Sequence, residues 1–266
     1  MNRPLVCVTL RGRTADEMAR DAVVAKTSGA DVVEARLDLL WTTEHRVEPK
    51  SSSDEKGNGD SDRIEVEISR LDLDAVDLDS ALSTIVEAVD LPLVMSCRPE
   101  RQGGYYPGTE EQRIEALRAA IKCGPRWVDL ESDIGKSTRD DLLDLTGDDT
   151  GVIASMHSID GTPPASMITQ EIEDNQDLGD IIKACYETTN RTEGLRIFEA
   201  AWELRESGIN TALMGLGPGG DWARIHAPLL GQFMVYTTTE SGWHLAQQGR
   251  INASDVQTAW SLLEYA

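Results

Sequence analysis

The chain alternates between two kinds of segment. Eight short apolar runs, each suited to a strand, are separated by stretches of helical periodicity. The runs are PLVCVTL (4–10), DVVEARLDL (31–39), LPLVMSCR (91–98), WVDLE (127–131), GVIASMH (151–157), DIIKACY (180–186), TALMGLG (211–217) and FMVYTT (233–238). Helical patterns include 109–122, opened by Thr109 with Gln112 three residues on, and 191–206. The last helix is expected over 253–265, with Ser254 as its cap and Val256, Trp260 and Leu263 on one face. Eight strand–helix pairs in about 250 residues fit an α/β chain folded as a (β/α)8 TIM barrel. The expectation is a single domain over 1–266, with a doubly wound open sheet as the alternative.

One segment breaks this rhythm. Residues 47–63, VEPKSSSDEKGNGDSDR, are rich in Ser, Asp, Gly and Lys and hold no aromatic residue. They read as a flexible polar insertion in the connection from the second strand to the second helix.

Charge narrows the classes of function. The sequence has 47 acidic and 25 basic residues, a net charge of −22. Such a surface repels nucleic acid and anionic membranes. Acids spread over the whole chain, with few lysines, resemble the halophilic proteins of salt-loving archaea. No apolar run approaches the roughly 20 residues that span a bilayer. The N-terminus runs straight into a strand, so no signal peptide is expected. Cys7, Cys97, Cys123 and Cys185 form no CxxC pair and read as reduced thiols of a cytoplasmic protein, without metal-ligand spacing.

Strand side chains alternate between faces. In 31–39, Val33, Ala35, Leu37 and Leu39 share the apolar face, leaving Val32, Glu34, Arg36 and Asp38 on the other. Charge recurs at later strands: Arg98, then Asp129 and Glu131, then Ser155 and His157, then Lys183 between Ile181 and Cys185. A Glu–Arg pair or a strand-end histidine alone is commonly structural. Five neighbouring strands with ionisable groups at the carboxyl ends of a barrel are better read as a site. Lys183 carries the most information, because it alone of six lysines stands in the middle of an expected strand, the other five lying in polar or helical surroundings. Burial, with Arg36 and Arg98 nearby, is expected to favour its neutral amine, a nucleophile that forms a Schiff base with a ketone. His157, one strand away and about 4.8 Å across the sheet, is its expected partner. Downstream, the Gly-rich 214–231 suits backbone binding of phosphate or carboxylate, with Arg224 able to clamp a carboxylate.

In order along the chain, DVVEARLD, SCRPERQGG, IASMHSIDGTPP, DIIKACY and MGLGPGGDWARIHAPLLG resemble the motifs of the type I 3-dehydroquinate dehydratase family. The resemblance implies a cytoplasmic lyase of the shikimate pathway, hence of aromatic amino acid biosynthesis. It implies a (β/α)8 barrel without metal or cofactor, converting 3-dehydroquinate to 3-dehydroshikimate. Lys183 would form the imine and His157 would move the protons. Arg224 would hold the substrate carboxylate, and Glu34 and Arg36 would bind the ring hydroxyls, with Arg98 nearby as a further substrate-binding residue. The family is often dimeric, so a homodimer is compatible. Two departures stand out. Gln102 replaces an acid that bacterial members often carry near the histidine. Gly231-Gln232 and Gln248-Gly249-Arg250 replace Gly-Ser and Pro-Gly-Gln, which makes Gln232 and Arg250 the binding residues expected beside a lid at 237–250. The competing readings are a class I Schiff-base aldolase, which would also use Lys183, and a non-catalytic binding barrel, which would leave the polar mouth unexplained.

Overall fold

The computed structural model describes residues 3–47 and 65–265. Its strands are β1 (Leu5–Leu10), β2 (Val32–Arg36), β3 (Thr42–Val47), β4 (Glu65–Arg70), β5 (Leu93–Ser96), β6 (Trp127–Glu131), β7 (Gly151–Ser158), β8 (Ile181–Glu187), β9 (Thr211–Leu216) and β10 (Met234–Thr237). The longer helices are α1 (Ala15–Thr27), α2 (Leu78–Ala88), α3 (Glu110–Lys122), α4 (Lys136–Thr146), α5 (Ala165–Asp174) and α6 (Arg191–Leu204). After them come the short α7 (Trp222–Ile225) and α8 (His244–Gln247), then α9 (Ala253–Leu262).

Eight strands pair in parallel in the order β10-β1-β2-β5-β6-β7-β8-β9, which gives the expected TIM barrel. The final seam is different. Between β9 and β10 the backbone contributes the bond from Phe233 N to Thr211 O (2.9 Å). Gln232 supplies more: its Oε1 accepts from Leu213 N (2.5 Å), and its Nε2 donates to Leu213 O (3.2 Å) and Ala223 O (3.1 Å). The side-chain amide does the work of a ladder pair where the strands diverge.

All eight expected barrel strands form, but the second ends early. Arg36 is its last residue, and Leu37–Trp41 turn as a 3-10 helix. The alternation expected through Leu39 therefore stops. The chain then makes the antiparallel hairpin β3–β4, which the sequence reading did not separate from the polar insertion. Beyond Val47 that insertion lies outside the described residues.

Local signals account for the helix starts. Thr109 and Gln112 form the expected reciprocal cap of α3, an arrangement that contributes about 1 kcal/mol. At α9 the cap is Asn252, not Ser254: Asn252 accepts from Ser254 N at 2.8 Å. Val256 and Trp260 of α9 are buried, whereas Leu263 lies beyond the helix and is exposed.

Outward-facing Val33, Ala35, Met95 and Leu130 pack beneath the helices with residues such as Met18, Ile85 and Leu117. Inside, Cys7, Val32, Val94, Trp127, Ile153, Ile181 and Met234 close the amino-terminal end of the barrel. One step further along the strands the inward residues become Glu34, Asp129 and Lys183, all buried. An apolar plug below thus sets the depth at which polar chemistry begins.

Candidate active site

A cavity of about 310 Å³ opens at the carboxyl ends of the strands. Its wall includes Glu34, Arg36, Arg98, His157, Lys183, Arg224 and Arg250. Of the expected site residues, Gln232 does not reach it. That expectation is corrected: its amide is fully engaged in the β9–β10 seam, and the side chain has no donor left to offer a ligand.

Lys183 is 1% exposed and sits between two carboxylates. Nζ donates to Asp129 Oδ2 at 2.8 Å and to Glu34 Oε1 at 3.2 Å. It also lies 4.0 Å from the centroid of the Tyr236 ring, a cation–π distance. Burial pulls the lysine pKa down, but Asp129 and Glu34 outweigh burial and the opposing Arg98, so its pKa is raised. The expectation of a neutral resting amine is therefore corrected: Lys183 rests as an ammonium. The sequence placed arginines nearby but could not show that two acids stand closer.

Glu34 is the matching anion. Burial pushes its pKa up, while Lys183, Arg98, the Thr9 hydroxyl and Arg36 bring it down to about 2. Thr9 Oγ1 donates to Oε2 at 2.7 Å and Ser96 Oγ to Oε1 at 3.2 Å. The carboxylate stays ionised and oriented.

His157 lies on the strand next to Lys183, but not level with it. Lys183 is in register with Ser155, and His157 with Cys185, so the imidazole is set two residues nearer the mouth. Arg98 Nη2 donates to His157 Nε2 at 2.6 Å, and His157 Nδ1 meets Gln102 Oε1 at 3.1 Å. Guanidinium nitrogen is only a donor and amide oxygen only an acceptor, so the proton sits on Nδ1 and Nε2 carries the lone pair. Burial, then Arg98, Lys183 and Arg36, hold the imidazole pKa well below its usual range. His157 is a neutral base with a fixed tautomer. Gln102 orients the ring by this hydrogen bond, without an acid's pull toward imidazolium.

Arg36 is held by Asp38, Nη2 to Oδ2 at 2.6 Å and Nε to Oδ1 at 3.2 Å. Asp38 is itself wholly buried and accepts from the backbone of Arg98 and Tyr105.

The Gly-rich turn after β9 works differently from the expected anion cradle. It closes on itself, Gly215 N bonding Gly220 O and Gly220 N bonding Gly217 O. It then presents carbonyls to Arg224. Arg224 Nε donates to Tyr236 O at 2.8 Å, and Nη1 lies 2.8 Å from both Gly215 O and Gly220 O and against Gly249 O. Gly249 has φ +66°, and a Cβ there would stand 2.6 Å from Gly217 O, so only glycine allows this approach. Nη2 of Arg224 makes no hydrogen bond among the described residues, and no carboxylate forms an ion pair with it there. Burial lowers its pKa to about 10. A rigid, buried guanidinium with a free edge on a cavity is a built anion-binding position.

At the rim, Arg250 Nη1 pairs with Glu240 at 2.7 Å, and Nη2 donates to Thr238 Oγ1 at 3.1 Å. Glu240 also pairs with Arg11, which lines the cavity together with Arg13. The sequence reading missed Arg11, Arg13 and Tyr236. The signal was present: LRGR follows the first strand, and Tyr236 occupies an inward position of the last.

Comparison with known proteins fits this geometry. The family model described as Type I 3-dehydroquinase matches residues 6–265. The 3-dehydroquinate dehydratase of Syntrophobacter fumaroxidans is 32% identical over 161 residues, 60% of this chain and 68% of that one. That of Haloquadratum walsbyi is 31% identical over 215 residues, 80% of this chain and 76% of its own. Among solved structures, the 3-dehydroquinate dehydratase of Geobacillus kaustophilus superposes with a TM-score of 0.77 at 20% identity, covering 99% of this chain and 92% of that chain. The type I enzyme of Clostridium difficile, solved with covalently modified comenic acid, gives 0.78 at 18% identity, covering 100% and 94%. The two structures establish the shared barrel, and the match from Val6 to Tyr265 establishes the lineage: this chain belongs to the type I 3-dehydroquinase family.

Proposed function

We propose that this chain dehydrates 3-dehydroquinate to 3-dehydroshikimate through an imine on Lys183. The observation that carries the reading is the buried Lys183 on the cavity floor, with the neutral His157 one strand over and two residues nearer the mouth. Lys183 Nζ condenses with the C3 ketone, expelling water. The protonated imine withdraws electrons and makes the C2 proton removable. Nε2 of His157, whose lone pair at rest accepts from Arg98, takes this proton once the arginine turns its donor to the substrate, and the resulting imidazolium delivers a proton to the departing C1 hydroxyl. Hydrolysis of the conjugated imine frees the product.

Recognition follows from the wall. The free edge of Arg224, with Arg250, receives the substrate carboxylate. Glu34, Arg36 and Arg98 face the ring hydroxyls, with Glu34 accepting and the arginines donating. The segment 237–250 serves as the lid. Net charge supports a salt-rich cytoplasmic setting, because self-repulsion at −22 is relieved by screening.

The test is borohydride trapping with 3-dehydroquinate in high salt, followed by peptide mass mapping and ultraviolet detection of the conjugated enone. The expected result is a ligand-derived mass on Lys183 together with enone formation. Turnover without an adduct would overturn the covalent route. An adduct with a phosphorylated sugar and none with 3-dehydroquinate would favour an aldolase.

A further inference from the structure

We propose that Asp129 is a third catalytic group, which borrows a proton from Lys183 so that Nζ can attack the ketone and afterwards holds the remaining N–H of the imine. This deepens the reading above and rests on Lys183 being the imine-forming lysine. Imine formation needs one further proton transfer. Lys183 rests as an ammonium, which has no lone pair, so a buried group must take a proton before the C–N bond can form.

Two carboxylates touch Nζ, and their surroundings separate their roles. Glu34 lines the cavity, receives Thr9 and Ser96, and is held to about 2 by the cations around it. It is a weak proton acceptor placed where substrate sits. Asp129 is 2% exposed, lies closer to Nζ at 2.8 Å, and is not part of the cavity wall. It stands behind the nitrogen. Its other oxygen accepts from the buried Ser155 hydroxyl, and no arginine forms an ion pair with it among the described residues. Asp129 can therefore act on Nζ from the side opposite the incoming carbonyl and never meets solvent.

The protons balance. One passes from the ammonium to Asp129, and the amine attacks the carbonyl carbon as the C=O π bond opens onto oxygen. Nitrogen gives one of its two protons to that oxygen on the His157 side. Asp129 then returns its proton to nitrogen. A second proton moves from nitrogen to the hydroxyl, which leaves as water. One N–H remains on the cationic imine, facing Asp129, whose carboxylate is restored. The net charge of the pair stays zero throughout, which spares the barrel an isolated buried ion. Charged or titratable groups facing this pair are Glu34 from β2, Arg98 after β5, Glu131 two residues along β6, Arg139 from α4, His157 on β7, Cys185 on β8, Cys7 on β1 and Tyr236 on β10.

The experiment is single-turnover trapping with borohydride across a pH series, on wild type, Asp129→Asn and Ser155→Ala. The asparagine keeps the shape but cannot take the proton. Expected is imine formation slowed about 10²-fold or more at every pH, with folding checked by near-ultraviolet circular dichroism. Ser155→Ala, which unfastens the carboxylate while keeping its charge, is expected to be several-fold slow. A wild-type plateau merely displaced to lower pH in Asp129→Asn would mean that Asp129 acts by charge alone, and would overturn the proposal. If Asp129→Asn does not fold, an unchanged rate in Ser155→Ala overturns it. Absence of any adduct in wild type would instead remove the underlying reading of Lys183.

Discussion

On the floor of the cavity the side chains of Lys183, Glu34 and Asp129 are 1–2% exposed. At its rim those of Arg11, Glu240 and Arg250 are 26–44% exposed. Both groups are ion pairs, yet they have different physical worth. On the floor each partner must stay, because removing one leaves a buried charge uncompensated, at a cost of about 3–5 kcal/mol. At the rim water screens the charges, and such pairs contribute about 0.2–1 kcal/mol. The floor is suited to hold a reacting nitrogen still. The rim is suited to exchange partners, one of which can be a substrate carboxylate.

This contrast can be broken most sharply at the floor. Lys183→Met is expected to lower kcat by about 10⁴-fold or more, since no other group can form the imine. It should also lower Tm by leaving Glu34 and Asp129 unpaired. Turnover within tenfold of wild type would end the covalent reading.

His157→Gln is expected to cost about 10²- to 10⁴-fold in kcat. The wild-type acid limb of kcat/KM should lie below the usual histidine value of about 6.5, because burial and Arg98 keep the ring neutral. The sign for stability follows. Below that value the unfolded chain binds a proton that the folded chain refuses, so stability falls as pH drops toward the folded pKa. Urea midpoints should therefore decline more steeply with acid in wild type than in His157→Gln. Equal slopes would show that the ring is not held neutral.

The seam offers a test of the correction made to Gln232. Gln232→Leu should cost about 1–3 kcal/mol in unfolding free energy, because Leu213 N and Leu213 O lose a buried partner, while KM stays within about twofold. A raised KM with unchanged stability would return Gln232 to the substrate.

The smallest effect belongs to the rim. Glu240→Gln should change stability by less than about 1 kcal/mol. It should lower KM, because Arg250 and Arg11 are then freed for an anion, and this gain should fade as salt is raised. An unchanged KM at low salt would mean that Glu240 does not compete with the substrate.

The sequence carried much of this molecule. Strand and helix periods are local, so the eight barrel strands and the Thr109 cap were legible. The strand-end positions of Glu34, Arg98, His157 and Lys183 followed from the same alternation. The hairpin β3–β4 was missed because it adjoins the polar run at 47–63 and β3, TTEHRV, carries little alternation, although Val66 and Ile68 of β4 do alternate with polar residues. The early end of β2 was hidden because Leu37 and Leu39 continue its apolar pattern.

What tertiary structure alone decided was pairing. Composition and spacing put a lysine inside a barrel, but its charge depends on distances to Asp129 and Glu34, which belong to other strands. Gln232 looked like a ligand-binding amide until the β9–β10 gap showed where its hydrogen bonds go. The turn 215–220 looked like an anion cradle until its carbonyls were seen to hold Arg224. Residue type and period fix which face a side chain takes. Electrostatics and hydrogen bonding depend on what stands within about 3 Å, and that is set only when distant strands close into one barrel.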